Sequence, residues 1–282
     1  MTAAQPREVL ERARAPAWSR YAPTPFIKLS CAAHLAGAAA FALQPSWWPW
    51  VAGGVALNHG LITFAGLMPR SRWIGENWTR LPAPAVARGE VAITLDDGPD
   101  PETTPKVLDL LEQRGATASF FVIGRHAAAH PLLVKAMVAR GHSVENHTFG
   151  HPLDFSFYGL RRSRIEIERG QDAIAAITGV APRFFRPPAG LRNVLMYPVL
   201  ARLGLTHVSW TRRGFDTVAD SAESVVQLLA RDLSGGDILM LHDGNHYGAP
   251  PRRLVLDVLP AVLSRIEEAG LRAVSLAHAT AP

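Results

Sequence analysis

Two unlike hydrophobic patterns divide the chain. Between residues 26 and 68 apolar side chains run almost unbroken, whereas from residue 90 onward they come in short bursts separated by turns and amphipathic stretches. Phe26 to Leu43 is rich in Ala and Leu, with Lys28, Ser30 and His34 as its polar interruptions; Trp47 to Met68 opens on Trp47, Trp48, Pro49 and Trp50 and carries Asn58 and His59. Each run is near the roughly 20 residues that a helix needs to cross a bilayer, and only Gln44, Pro45 and Ser46 part them. The expectation is a two-helix membrane anchor over 26–70, a basic lead-in over 1–25, and a proline-marked linker over 71–87 that contains LPAPAVAR. A signal peptide explains the first run less well, because the lead-in is long and a second apolar run follows at once. A soluble helical hairpin, or helices lying in the interface, also accommodates His34, Asn58 and His59.

The second pattern predicts alternation. Short apolar runs read as strands at 91–95, 117–123, 142–145, 183–186, 206–209, 237–241 and 271–275, and helical periodicity appears around 103–114, 127–140, 162–178, 193–203, 221–233 and 253–269. Strands alternating with helices argue a parallel sheet, and closure towards a barrel buries its edges. This gives one α/β domain over 88–282.

Charge sharpens the division. The net charge of +5 comes from the first 84 residues, with 8 Lys and Arg against 3 Asp and Glu; from residue 85 onward the balance is 21 against 21. A nucleic-acid-binding domain needs a basic face, and the α/β region has no net charge to suggest one. Basic groups flank both apolar runs, and the tryptophan-bearing connection has none, so both chain ends are expected on the cytoplasmic side of a bacterial inner membrane. The single cysteine, Cys31, allows neither an intramolecular disulfide nor a thiolate metal site.

Candidate chemistry gathers where predicted strands end. VAITLDDGP places Asp96 and Asp97 at the C-terminal mouth of the first strand, where α/β folds collect ligands. ENHTFGHP follows the third strand, and its Gly150 and Pro152 make a turn that brings His147 and His151 together. Two imidazoles and one carboxylate make an open three-ligand set for a hydrolytic metal; a lone His-x-x-x-His is weak evidence, and the neighbouring Asp pair strengthens it. FFRPPAG offers Arg186, a guanidinium able to orient a carboxylate, on a rigid segment with Pro188 and Ala189. WTRRGFDT offers Asp216 with Thr217, and DILMLHDG ends a strand with Met240 and His242, a candidate proton donor.

The order TLDDGP, HTFGH, RPPAG, FDT and MLH resembles the five motifs of the polysaccharide deacetylase family, also called carbohydrate esterase family 4 or the NodB homology domain, over roughly residues 88–278. The resemblance implies a distorted (β/α)7 barrel and metal-dependent removal of an N-acyl group, usually acetyl, from an amino sugar. It implies that Asp97, His147 and His151 hold a divalent metal, Zn²⁺ or else Co²⁺ or Ni²⁺, which the same donors suit. Asp96 is then the base that deprotonates the attacking water and His242 the acid that protonates the departing amine. Arg186 holds Asp96, Asp216 holds His242, and a backbone N–H at Ala189 meets the oxyanion, with Pro188, Thr217 and Met240 walling the substrate site. Three positions depart from the family pattern. Ala189 stands where an aromatic residue is usual, Thr217 where a tryptophan is, and Met240 where a leucine is, which bears on acyl and sugar specificity more than on reaction type.

A cytoplasmic domain implies a lipid-linked or other precursor glycan as substrate, with the lipid bilayer and no nucleic acid as further partners. A periplasmic deacetylase of peptidoglycan or exopolysaccharide, and a catalytically silent glycan-binding or scaffolding barrel, are the competing readings.

Overall fold

The structure is a computed structural model that describes residues 21–244 and 254–281. Up to residue 20, the expected basic lead-in lies outside the described residues.

The sheet is built around β1 (Glu90–Asp96), all seven residues of which are buried. Such a strand must be covered on both faces, which explains its nearly continuous apolar run. It pairs in parallel with β2 (Ser119–Val122), β7 (Ile238–His242) and, through its first residues, β8 (Arg272–Val274). From β2 the sheet continues through β3 (Ser143–Asn146), β4 (Phe184–Phe185) and β5 (Thr206–His207); beyond β7 lies β6 (Arg212–Arg213), giving the order β5-β4-β3-β2-β1-β7-β6. The two ends of the sheet are joined by the 78–80 segment, because Trp78 bridges to Val208 beside β5 while Arg80 bridges to Asp237 beside β7 and the Thr79 carbonyl accepts from Thr211 just before β6. The sheet is therefore curled, and the expected (β/α)7 barrel is present in its distorted, incompletely hydrogen-bonded form. The segment read as a linker supplies part of the closure and also holds a short helix, α3 (Ala83–Ala87).

The crossover helices cover the outside: α4 (Thr104–Gln113), α5 (Gly124–Ala129), α6 (Pro131–Ala139), α7 (Leu160–Thr178), α8 (Met196–Leu203), α9 (Ala222–Ala230), α10 (Val255–Glu268) and α11 (Leu276–Ala279). The helix expected over 127–140 is two helices. Pro131 opens the second, and the residue before a proline is kept out of helical conformation, so the first ends at Ala129. All described strand pairs are parallel, and the register sets Asp96 beside Phe121 and His242, and Asn146 beside Val122 and Phe185. Loops that follow these strands therefore emerge at one edge of the sheet.

The N-terminal hairpin consists of α1 (Pro25–Leu43) and α2 (Trp48–Leu67), joined by a tight turn over Pro45–Trp47. Thr24 caps α1 by accepting from the Ile27 N–H, and proline occupies the first helical turn, where its missing N–H costs nothing. Both helices are long and apolar enough to cross a membrane, yet little of either is buried, only 6% of the apolar stretch of α1 and 11% of that of α2. Their polar residues face one another. Asn58 donates to the Ser30 hydroxyl at 2.7 Å, His34 Nδ1 donates to the Ser30 carbonyl at 2.7 Å, and the Nε2 atoms of His34 and His59 stand 3.3 Å apart.

One buried arginine seats this hairpin on the barrel. Arg192 is 4% exposed, and its guanidinium donates to the carbonyls of Ala65 and Ser71 at 2.9 Å, to Tyr197 Oη at 3.0 Å, and to the Met68 carbonyl. It thus satisfies carbonyls at the C-terminal end of α2 that no further helical turn is available to satisfy. Arg192→Ala strands these acceptors in a dry seam and is expected to cost about 3 kcal/mol, with α2 detaching first. Thermal melting combined with limited proteolysis between residues 68 and 75 checks this; an unchanged melting temperature and cleavage pattern contradicts it.

Candidate active site

The strand edge brings together Asp96, Asp97, His147, His151, Ala189, Gly190, Trp210, Arg213, Thr217, Met240 and His242 around one cleft. The five sequence motifs lie up to 150 residues apart, yet every expected metal ligand, the expected base and the expected acid line it. Arg186, Pro188 and Asp216 stand behind it, each buried.

Asp97, His147 and His151 offer ligand atoms that all lie within 4.8 Å of one another. His147 Nε2 is 3.3 Å and His151 Nε2 is 3.2 Å from the same oxygen, Asp97 Oδ1. Two ligand atoms bound about 2.1 Å from a common tetrahedral centre stand about 3.4 Å apart, so the spacing suits a metal. The tautomer of His147 argues the same way. Its Nδ1 lies 2.7 Å from the Arg186 carbonyl, which can only accept, so Nδ1 carries the proton and Nε2 of the neutral ring presents a lone pair to Asp97. Asp97 Oδ1 is buried and receives no hydrogen bond. Two acceptors facing each other in a dry site call for a cation between them. Burial by itself raises the Asp97 carboxyl, but positive charge on the facing side of the cleft, carried by the rings of His147, His242 and His151 when protonated and replaced by a cation when one is bound, holds it well below the usual carboxylate range and so in the ionised form. The chain's own residues therefore fit a divalent ion.

Adjacent Asp96 serves differently because its partner is different. Arg186 Nη1 donates to Asp96 Oδ1 at 2.6 Å and to Thr94 Oγ1 at 2.9 Å, while Nε and Nη2 donate to the carbonyls of Val208 and Ser209 at 3.1 and 2.9 Å. The guanidinium also lies over the Phe121 ring at 4.2 Å. Burial pulls the pKa of Arg186 down, and the Asp96 carboxylate opposes that pull. A fully buried cation is tolerated here because it is paired and its donors are used.

His242 ends β7, where Asp216 grips it twice: Nδ1 is 2.9 Å from Oδ1, and the His242 N–H donates to Oδ2 at 2.8 Å. Burial disfavours the charged ring, but the Asp216 carboxylate, with Asp97 and Asp96 beyond it, outweighs burial and raises the pKa to about 9. With the pKa raised from 6.5, the stability contributed by this pair is fully present below about pH 6.5 and is lost as pH rises through about 9. In chelator-treated protein the His242 ring is expected to titrate near pH 9 by NMR, and in Asp216→Asn to fall by at least 2 pH units (order of magnitude, from the lost ion pair). An unmoved titration contradicts the assignment.

Backbone conformation marks the same place. Of the six non-glycine residues with positive φ among the described residues, five belong to the site's loops: Asp97 (71°), Thr148 (65°), His151 (52°), Ala189 (54°) and Phe215 (57°). Left-handed backbone at such residues costs of order 1 kcal/mol each and persists where surrounding structure dictates the position of a side chain or an N–H. At Ala189 it turns an exposed residue into the cleft, and no hydrogen bond to its N–H is found among the described residues. Gly190 follows because a Cβ there would stand 2.4 Å from the Trp210 ring.

Gly190, Trp210 and Arg213 were absent from the expected site. Trp210 and Arg213 lie inside the WTRRGFDT stretch that was singled out for Asp216, but nothing local tells which of two adjacent arginines enters the cleft. β6 decides it, since neighbouring strand residues point to opposite faces. Arg212 turns away to Asp237, with Nε to Oδ2 at 2.8 Å, and to the Asp232 carbonyl at 2.6 Å, leaving Arg213 on the cleft side.

Comparison with known proteins agrees with this geometry. The family model described as polysaccharide deacetylase matches residues 84–208. The chain is 34% identical over 194 residues to a peptidoglycan-N-acetylglucosamine deacetylase of Bacillus cereus, covering 67% of this chain and 86% of that protein. It is 34% identical over 193 residues to a chitooligosaccharide deacetylase of Sinorhizobium fredii, covering 66% and 87%. Among solved structures, a family 4 carbohydrate esterase from Streptomyces lividans in complex with acetate superposes with a TM-score of 0.60 at 35% identity, covering 66% of this chain and 91% of that one.

Proposed function

Since the chain belongs to the polysaccharide deacetylase family, we propose that it is a metal-dependent hydrolase that removes an N-acyl group, acetyl in the first instance, from an amino sugar. The observation that carries this reading is the pair of imidazole nitrogens set 3.3 and 3.2 Å from one buried, otherwise unpartnered carboxylate oxygen.

Asp97, His147 and His151 would hold a divalent ion, which when bound would supply Lewis-acid polarisation of the acyl carbonyl and lower the pKa of a water. Asp96 lines the same cleft with one oxygen held by Arg186, and it takes a proton from the water as the water oxygen bonds to the acyl carbon. The oxyanion that develops is met by the Ala189 N–H, a donor worth about 3 kcal/mol when preorganised. His242, kept protonated by Asp216, gives its proton to the sugar nitrogen as the C–N bond breaks, so the water ends divided between a free carboxylate and an amine. The two acid–base roles stay apart because Asp96 faces a guanidinium and His242 faces a carboxylate.

The hairpin supports placement at a membrane. Large apolar side chains point outward on both helices, including Leu29, Leu35, Phe41, Trp50, Leu57 and Phe64. A helix that is apolar all round and unburied by its own fold needs lipid to cover it. Positive flanks keep both chain ends in the cytoplasm, which sets the catalytic domain on that face of the inner membrane and favours a lipid-linked or precursor amino sugar as substrate. Zn²⁺ is the ion of choice for two imidazoles and a carboxylate, with Co²⁺ and Ni²⁺ as substitutes.

Two assays test this. Full-length protein in detergent is expected to release acetate from N-acetylglucosamine oligomers, to stop after chelation and to resume with added Zn²⁺; a purified domain that retains no divalent metal and releases no acetate favours the silent reading. A cytoplasm-active fluorescent reporter fused after Pro282 is expected to shine while a periplasm-active phosphatase there stays silent, and the reverse moves the domain to the periplasm.

A further inference from the structure

Three acidic side chains of the cleft and its back wall, Asp96, Asp97 and Asp216, each have a cationic or metal-ligating partner, and one cation lining the cleft is left over. Asp96 is held by Arg186, Asp97 faces His147 and His151, and Asp216 is held by His242. Arg213 lines the same cleft, yet among the described residues its side chain makes no hydrogen bond and no ion pair, and its Nε is buried without a partner. It is also held in place. Its guanidinium lies over the Phe215 ring at 4.8 Å and the Trp210 ring at 5.4 Å, within the range of cation–π attraction. Phe215 takes up this position with a left-handed backbone at φ 57°, and Gly214 leaves no room for a Cβ, which would meet Val225 at 2.5 Å.

A guanidinium that lies over two aromatic rings, with its donors unspent beside the reacting centre, is suited to receive a planar or tetrahedral oxyanion. We propose that Arg213 is a specificity-determining residue that binds an anionic group, a phosphate or a carboxylate, carried by the N-acylated amino sugar close to the scissile amide. The proposal deepens the deacetylase reading and rests on it. It separates this cleft from one made for uncharged glycan, because burying Arg213 under a neutral sugar leaves its charge unpaired, a penalty that disfavours such substrates. Phosphorylated sugar links and carboxylated amino sugars share this chemistry, and the arms of the test tell them apart.

Binding is measured calorimetrically on the full-length chain for three probes: N-acetylglucosamine, N-acetylglucosamine 1-phosphate and N-acetylmuramic acid. The expected result is that at least one anionic sugar binds about tenfold or more tightly than the neutral one, since a charge-assisted pair is worth at least that factor. Arg213→Gln is expected to bring that sugar to within about twofold of N-acetylglucosamine, whose own affinity does not fall and rises to the extent that the unpaired charge opposed it, and Arg213→Lys to keep part of the preference. Preference for the phosphate or for the carboxylate identifies the source. Equal affinities in the wild-type chain, a preference that survives in Arg213→Gln, uniform weakening of all three sugars, or no binding of either anionic sugar at millimolar concentration each overturns the proposal. Equal affinities in the wild-type chain overturn the proposal without any variant, and if the glutamine variant does not fold, a preference in Arg213→Lys as strong as in the wild-type chain overturns it as well. Acetate release by the same samples separates this result from the underlying reading: Arg213-dependent binding without turnover of any probe leaves the anion site standing and removes the deacetylase.

Discussion

Asp97→Asn is expected to abolish divalent-metal retention and with it turnover, whereas Asp96→Asn, one residue earlier, is expected to keep the metal and lose at least about a thousandfold in kcat. The divergence follows from what each carboxylate faces. Asp97 Oδ1 is the common neighbour of His147 Nε2 and His151 Nε2, so an amide there removes the negative charge from the only carboxylate in that donor group. Asp96 faces Arg186 and the cleft, so its amide leaves the donor group intact but cannot accept the proton of the attacking water. General-base catalysis by a positioned group typically contributes 10²- to 10⁴-fold, and the mispaired Arg186 left behind adds to the loss. Metal content by atomic emission and acetate release by a coupled assay read the two effects separately. Equal metal loss in both variants would show that Asp96 is itself a ligand and would reassign the base.

Arg186→Leu is expected to cost about 3–5 kcal/mol of folding stability, the range for removing one partner of a buried ion pair. Total stabilities run at about 5–15 kcal/mol, so the variant is expected to fold poorly at growth temperature. The cause is not the ion pair alone. The Arg186 side chain ties two segments together, donating to Thr94 and Asp96 of β1 and to the carbonyls of Val208 and Ser209 just after β5, while the Arg186 carbonyl accepts from His147 Nδ1. Its loss leaves Asp96 charged, buried and unpaired, so adding Asp96→Asn to Arg186→Leu is expected to recover a substantial part of the stability. Denaturant unfolding of the two single variants and the double variant measures this coupling. Strict additivity would mean that Arg186 stabilises the fold without reference to Asp96.

These variants probe residues that the sequence exposes unequally. Strands, crossover helices and both apolar helices were legible because each depends on local periodicity: β1 was expected over 91–95 and spans 90–96, and α7 was expected over 162–178 and spans 160–178. Asp96, Asp97, His147, His151 and His242 were legible because parallel strands deliver their C-terminal loops to one edge, so turn chemistry after an apolar run marks the site before any contact is known. β6 was missed, since two arginines carry no strand signal and owe their conformation to pairing with Leu239 and Met240.

Chain order and periodicity thus determined the fold class and which charged residues lie at the strand ends that meet in one cleft. Tertiary structure alone decided which group answers which. It paired Arg186 with Asp96 across 90 residues, turned Arg212 to Asp237 and left Arg213 in the cleft, set Arg192 under the end of α2, and used the 78–80 segment to join the two ends of the sheet. The physical reason is that turn and helix propensities act over a few residues, whereas a charge inside a protein takes its role from the nearest opposite charge and the nearest unsatisfied carbonyl, and folding brings those from anywhere in the chain.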